Sequence, residues 1–141
     1  MFLVTKVNFK SYENAGRAVT QSLANLQTDY IDLLFLHWPF ANYYAAWRAL
    51  EKLYAEGKVR AIGVSNFEPD RLLDLSAYNK IVPAVNQIEM NLYCQRSTER
   101  SWMDKHRVTH MAYAPLGQGN RNEMLREPLV LALSYEAFYC S

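Results

Sequence analysis

Short apolar segments alternate with segments of helical periodicity along this chain, and this alternation constrains the fold more than any other feature. Five segments have the length and composition of buried strands: residues 2–6, 32–37, 59–64, 84–88 and 108–113. Helical patterns lie between them, with the clearest at residues 13–26 and 98–105. Strands that alternate with helices pair in parallel, because a parallel connection is long enough to hold a helix. The sequence therefore predicts an α/β protein with a parallel sheet.

Two architectures fit this alternation, an open doubly wound sheet and a (β/α)8 barrel. Both place functional residues at the carboxyl ends of the strands. Polar or aromatic side chains occur at that end of all five predicted strands: Lys6, His37 with Trp38, Ser65 with Asn66, Gln87 with Glu89, and Tyr113. Each of these residues also has an ordinary structural interpretation. Ser-Asn after a strand, for example, is typical of a turn. Their recurrence at one end of five strands favours a ligand that lies across a barrel mouth.

Charge and cysteine usage exclude several classes of protein. Fifteen basic and fourteen acidic residues leave a net charge of +1. Without a basic block, neither nucleic acid nor a membrane surface is an expected partner. No apolar run approaches the ~20 residues of a membrane span. Cys94 and Cys140 lack metal-ligand spacing and favour a reducing compartment, so we expect a cytoplasmic protein that binds no metal.

Six blocks of sequence carry a family resemblance: Thr5-Lys6, Asp29–Leu34, Leu36–Pro39, Gly57–Phe67, Asn86–Glu89 and Ala112–Gly117. In order and spacing these blocks resemble the aldo-keto reductases, and the resemblance extends from about residue 2 to about residue 132. It implies a (β/α)8 barrel that binds NADPH across its carboxyl rim. The implied reaction is the reduction of a small aldehyde or ketone to an alcohol.

The resemblance also implies roles for individual residues. Lys6 and His37 correspond to the catalytic lysine and histidine of the family, and Trp38 to the aromatic wall of its substrate pocket. A histidine at this rim can donate a hydrogen bond to the substrate carbonyl. The implied cofactor-binding residues are Ser65, Asn66, Gln87, Tyr113, Leu116 and Gly117. The first three resemble the set that binds the nicotinamide carboxamide, the tyrosine resembles the ring that stacks on the nicotinamide, and the last two match the loop over the pyrophosphate.

The resemblance covers only the central part of the family. The family's general-acid tyrosine and its aspartate partner precede the segment that matches Lys6, and in this sequence five residues precede Lys6. We therefore expect the third to seventh β/α units, without the first two and the last, and without that acid. The sequence is interpreted as one incomplete barrel domain over residues 1–141, with an atypical tail over 134–141. Tyr43 and Tyr44 are interpreted as packing residues at the start of a helix.

Two functions remain open at this stage. One is NADPH-dependent reduction of an aldehyde or ketone, expected to be weak or absent in the isolated chain. The other is a non-catalytic barrel fragment that binds nucleotide weakly or associates with another subunit. A five-strand piece of a barrel has two unpaired edges and an uncovered inner face. Self-association through the exposed sheet edges and flattening toward an open sheet both stay open at this stage.

Overall fold

The structure is a computed structural model that describes residues 1–139, apart from the side chains of residues 9, 120, 121 and 134–139. Its strands are β1 Val4–Val7, β2 Leu33–Leu36, β3 Ile62–Ser65, β4 Val85–Glu89 and β5 Thr109–Tyr113. Its helices are α1 Ala15–Leu26, α2 Tyr43–Ala55, α3 Pro69–Ala77, α4 Ser97–Lys105, α5 Arg121–Leu125 and α6 Pro128–Tyr139. Two 3-10 segments, Phe9–Asn14 and Gln118–Asn120, precede α1 and α5.

The five strands form one sheet in the order β1-β2-β3-β4-β5. The first four strands pair in parallel, with Lys6 beside Phe35, Leu36 beside Val64, and Ser65 beside Gln87. The predicted α/β class and the sequential parallel order are thereby confirmed. The third strand begins three residues later than predicted, because Val59 forms only an isolated bridge with Ile31 before the continuous ladder starts at Ile62.

Helix ends follow the local chemistry of the sequence. Pro69 occupies the first turn of α3, where its missing N–H is not needed. Gly57 follows α2 with φ of +74°, a left-handed conformation that glycine adopts without steric cost. Asn42 caps the start of α2, since its side-chain oxygen accepts a hydrogen bond from the N–H of Ala45.

The two faces of the sheet differ in what they contact. Alternate strand residues point to opposite faces. Those on one face of β2 and β3 join α1–α4 in the apolar core: Leu34, Leu36, Ile62, Val64, Val19, Trp47, Leu50, Leu72 and Met103. The register places Lys6, Phe35 and Gly63 on the other face. The apolar core therefore lies between the sheet and its helices. The opposite face of the sheet carries Lys6, one of the predicted site residues.

The chain divides into two compact units, each with its own contacts. The first comprises Met1–Ile88 with Thr98–Met111, and the second comprises Glu89–Ser97 with residues from 112 onward. In the second unit the Tyr93 hydroxyl donates a hydrogen bond of 2.7 Å to Glu127 Oε1. The single domain over residues 1–141 stays a prediction.

The predicted tail begins within a helix. Residues 134–139 continue α6, whereas residues 140 and 141, including Cys140, lie outside the described residues. No helix in the described part of the chain combines the length and apolar character that a membrane crossing requires.

Candidate active site

The carboxyl ends of the first four strands bring five of the predicted site residues to one edge of the sheet. Lys6 lies near the end of β1, and His37 follows β2 directly. Ser65 ends β3, Asn66 follows it, and Gln87 lies beside Ser65 in β4. Because these strands are parallel and in register, their ends meet at the same edge. The local sequence thus places a cation, an imidazole and three amide or hydroxyl groups in one region of the first unit.

The backbone of His37 and Trp38 is held at all four of its polar groups. The N–H of His37 donates to Val7 O at 3.2 Å, and its carbonyl accepts from Asn66 Nδ2 at 3.1 Å. The N–H of Trp38 donates to the Tyr12 hydroxyl at 2.9 Å, and that hydroxyl donates to Trp38 O at 2.7 Å. The turn after β2 is therefore fixed by partners from outside the turn.

Aromatic rings follow the histidine along this turn. The rings of His37 and Trp38 have centroids 5.8 Å apart, and the Trp38 ring is stacked on Phe40 at 5.4 Å with an interplanar angle of 1°. His37, Trp38 and Pro39 are half-buried, whereas Phe40 is 51% exposed. An imidazole bordered by a flat apolar surface suits a small apolar substrate that carries one polar group.

Lys6 and His37 interact electrostatically. Loss of water around the imidazole lowers the pKa of His37, and the positive charge of Lys6 lowers it further. Partial burial of its ammonium also lowers the pKa of Lys6, although the residue as a whole is exposed. A His37 pKa below the ordinary value leaves the imidazole neutral at pH 7, with one ring N–H to donate and one ring nitrogen to accept.

Ser65, Asn66 and Gln87 form a connected polar group. The buried Ser65 hydroxyl donates to the backbone carbonyl of Gln87 at 2.9 Å, and the backbone N–H of Asn66 donates to the same oxygen at 2.9 Å. Asn66 Nδ2 also donates to Ser65 Oγ at 3.1 Å. Asn66 has φ of 62°, a left-handed conformation that asparagine tolerates better than most residues.

One atom of this group has no hydrogen-bond donor. The side-chain oxygen Oε1 of Gln87 is buried and unpaired among the described residues, while its Nε2 contacts Met111 Sδ at 3.2 Å. Buried carbonyl oxygens nearly always accept a hydrogen bond. A carboxamide N–H, such as that of nicotinamide, would supply the missing donor, so these residues fit the cofactor that the resemblance implies.

The remaining predicted cofactor residues belong to the second unit. Tyr113 ends β5 and its carbonyl accepts a hydrogen bond from Met90 N at 3.3 Å. Burial raises the pKa of the Tyr113 hydroxyl, and the negative charge of Glu89 raises it further. The chain then turns, since Gly117 has φ of 73° and its N–H donates to Ala114 O at 2.9 Å. Leu116 within this turn is 49% exposed.

Tyr43 and Tyr44 make the contacts of packing residues. Tyr43 is 4% exposed, and its hydroxyl accepts a hydrogen bond from Arg71 Nη1 at 3.2 Å. The Tyr44 hydroxyl donates to Asp74 Oδ2, and the two tyrosine rings are stacked at 4.4 Å. These contacts tie α2 to α3 and support the interpretation of both residues as helix-start packing.

The sequence analysis did not select Tyr12, although its hydroxyl bonds to the residue after His37. It lies in the 3-10 segment Phe9–Asn14, which has no apolar periodicity. The one available signal was that Tyr12 and Phe9 are the two aromatic residues of the otherwise polar run Asn8–Asn14. Within the described chain, no group of three or more His, Cys, Asp or Glu side chains is arranged to hold a metal ion.

Comparison with protein families identifies one match. The model of the Aldo/keto reductase family matches residues 1–128. Among curated relatives, glyoxal reductase of Bacillus subtilis is 40% identical over 132 residues, which cover 90% of this chain and 48% of that protein. The chain thus spans about half the length of this relative.

Solved structures agree with the family match. An aldo-keto reductase enzyme from a Medee basin deep-sea metagenome library has a TM-score of 0.94 and 36% identity, covering 97% of this chain and 52% of that one. The Bombyx mori aldo-keto reductase in complex with NADP has a TM-score of 0.77 and 30% identity, covering 81% and 41%. The described strands and helices therefore form part of a (β/α)8 barrel, as predicted.

Proposed function

This chain belongs to the aldo/keto reductase family, and we propose that it binds NADPH and takes part in reducing a small aldehyde or ketone to an alcohol. The observation that carries the proposal is the common edge at which Lys6, His37, Ser65, Asn66 and Gln87 meet. Since the chain spans about half the length of its relative, nucleotide binding is proposed for this segment itself. Efficient turnover is proposed for a protein that contains it.

The polar group on β3 and β4 is the proposed site for the nicotinamide carboxamide. The unpaired Gln87 Oε1 would accept from the carboxamide N–H, and Ser65 and Asn66 would orient the same group. Stacking of the Tyr113 ring, in the second unit, on the nicotinamide stays a prediction from the family resemblance. The turn at Leu116 and Gly117 would allow the pyrophosphate to approach the backbone. NADPH, when bound, supplies the hydride for the substrate carbon.

His37 is proposed to polarise the substrate carbonyl. Its neutral imidazole donates a hydrogen bond to the carbonyl oxygen, and this bond strengthens as negative charge develops there. Loss of water around His37 and, to a smaller extent, the positive charge of Lys6 both favour the neutral imidazole, because both lower the His37 pKa. The charge of Lys6 would also stabilise the negative charge that develops on the carbonyl oxygen. Trp38 would form the apolar wall against which the substrate lies. His37 and Lys6 would therefore stabilise the negative charge that develops on the carbonyl oxygen during the reduction.

Nucleotide binding is tested by titrating NADPH against the chain and two variants. Gln87→Leu removes the unpaired oxygen, and we expect the Kd for NADPH to rise at least ~10-fold, since a buried hydrogen bond to the carboxamide is lost. Gln21→Leu makes the same chemical change on the exposed surface of α1 and should leave the Kd within about threefold. Equal affinities for both variants would contradict the proposed carboxamide site.

Carbonyl reduction is tested with glyoxal and NADPH. We expect slow turnover in the isolated chain, because the sequence analysis expects it to be without the family's general acid. A positioned general acid typically contributes ~10²–10⁴-fold to the rate. His37→Ala should lower this rate at least ~10-fold with the NADPH affinity nearly unchanged, whereas His110→Ala should not. Turnover that is indifferent to His37→Ala would show that another residue carries the chemistry. Binding of NADPH with no turnover at all would instead support the non-catalytic alternative.

A further inference from the structure

We propose that Tyr12 is a positioning residue for the proposed active site, and that its hydroxyl fixes the orientation of His37 and Trp38 through the Trp38 backbone. This inference rests on the proposed function for its catalytic consequence. The structural part, that Tyr12 holds the turn after β2, stands on geometry alone.

Tyr12 satisfies both backbone polar groups of one residue. Its hydroxyl donates to Trp38 O at 2.7 Å and accepts from Trp38 N at 2.9 Å. A phenol has one proton to donate, so this contact uses its donor. Tyr12 is 2% exposed and belongs to the apolar core. Its proton is thus committed to the backbone of Trp38, which makes it a positioning group and not the acid of the reaction.

The two hydrogen bonds between Tyr12 and Trp38 take the place of strand pairing just beyond the end of β2. β2 ends at Leu36, so Trp38 has no strand partner for its N–H and C=O. Polar groups in a part-buried turn must find partners or lose stability. Val7 O and Asn66 Nδ2 hold the two backbone groups of His37, and Tyr12 holds the two of Trp38. Removal of the Tyr12 hydroxyl would release half of these anchors.

Tyr12 also joins the turn to the strand that carries Lys6. The 3-10 segment of Tyr12 starts two residues after the end of β1, and the Asn8 side chain fixes its start by accepting from Lys10 N at 3.1 Å. The hydroxyl therefore ties the region just after Lys6 to the region just after His37. Because a shift of about 1 Å in a reacting group can cost ~10²-fold in rate, such a tie would affect catalysis without touching substrate.

Fluorine NMR with 5-fluorotryptophan tests the positioning role directly. The chain has three tryptophans, of which Trp47 is fully buried and Trp102 is stacked on His106. In Tyr12→Phe we expect the Trp38 resonance to shift or broaden while that of Trp47 stays in place. The matched control Tyr44→Phe removes a hydroxyl that bonds to Asp74, and should leave the Trp38 resonance unchanged. An unmoved Trp38 resonance in Tyr12→Phe, or an equal change at Trp47, overturns the proposal.

Hydrogen exchange keeps the proposal testable if Tyr12→Phe does not fold. In the unsubstituted chain the Trp38 amide should exchange at least ~10²-fold more slowly than in an unstructured peptide, because the Tyr12 hydroxyl accepts from it. Exchange near the unstructured rate overturns the proposal.

Kinetics separate this inference from the proposed function. Tyr12→Phe should lower kcat for carbonyl reduction by ~10–100-fold with the Kd for NADPH within about threefold. Loss of affinity in the same proportion would count against a positioning role. If the unsubstituted chain binds NADPH but shows no turnover, carbonyl reduction by the isolated chain is contradicted and nucleotide binding is not. The NMR result still decides whether Tyr12 positions the turn.

Discussion

The side chain of Asn86 bonds to both backbone polar groups of Phe67. Its Nδ2 donates to Phe67 O at 2.7 Å, and the N–H of Phe67 donates to Asn86 Oδ1 at 3.4 Å. Both residues are 1% exposed. Tyr12 makes the same kind of contact with Trp38. In each case a buried side chain holds the second residue after a strand end, so two neighbouring turns of the proposed site are fixed in the same way.

Asn86→Ala should destabilise the chain by roughly 2–3 kcal/mol, because it leaves the buried N–H and C=O of Phe67 without partners. Urea unfolding followed by circular dichroism measures the effect. Asn25→Ala is the matched control, since Asn25 is exposed and its side-chain oxygen accepts a hydrogen bond from Gln21 on the same helix face. A loss no greater than that of the control would mean that Asn86 does not hold the turn.

Gly63→Ala should destabilise the chain by roughly 1–3 kcal/mol through overpacking. A Cβ on Gly63 would lie 2.7 Å from Val85 O and 2.9 Å from Phe35 Cε1, and the backbone oxygen cannot rotate away. Gly16→Ala is the opposite case, because nothing lies within 4 Å of its Cβ position on α1. It should be neutral or stabilise by up to about 1 kcal/mol. In thermal unfolding, the Tm of Gly63→Ala should therefore fall, while the Tm of Gly16→Ala should stay unchanged or rise.

Lys6→Met should raise the pKa of His37 toward its ordinary value. The rise should be incomplete, because loss of water is the larger cause of the lowered His37 pKa and the charge of Lys6 is the smaller. Titration of the His37 ring protons by NMR measures the change. Lys10→Met, which removes an exposed lysine on the neighbouring 3-10 segment, is the control. A His37 pKa that stays constant or falls in Lys6→Met would show that the two groups do not interact.

The alternation of elements and the strand-end residues are predictable because both depend on local sequence. Apolar periodicity predicts β2 and α1, and in the structure Pro69 lies in the first turn of α3 and Gly57 follows α2. The parallel order follows from the alternation itself. What the segments contain is therefore enough to place His37 and Asn66 at the carboxyl ends of their strands.

The residues that hold the turns are not predictable in this way. Tyr12 bonds to a residue 26 positions away, and no periodic pattern marks the 3-10 segment in which it lies. Asn86 stands in a predicted strand, but its contact with Phe67 depends on which face it occupies, and the register of β3 with β4 sets that face. The contacts that hold the two turns thus depend on which distant segments lie together, and local sequence patterns do not predict this.

Asp32 gives the chain a pH-dependent stability that Asp32→Asn should reduce. Its Oδ2 accepts from Leu3 N at 2.8 Å and its Oδ1 accepts from Arg60 Nη1 at 2.8 Å. The hydrogen bond from Leu3 lowers the pKa of the Asp32 carboxyl in the folded state, and Arg60 lowers it further. A carboxyl with a lower pKa when folded stabilises the fold above its unfolded pKa of about 3.9, and this contribution is lost as the pH falls through the folded value.

Unfolding in urea should therefore show that the free energy of unfolding of the unsubstituted chain falls more between pH 7 and about pH 3 than that of Asp32→Asn. The two chains should differ most at neutral pH, where the carboxylate holds the start of β1 to the start of β2 through the Leu3 N–H. Asp29→Asn removes an equal charge without touching that N–H, so the difference between the two variants isolates the buried carboxylate. If Asp32→Asn instead keeps the full pH dependence of the unsubstituted chain, the acid sensitivity resides in other carboxyl groups and Asp32 does not anchor β1.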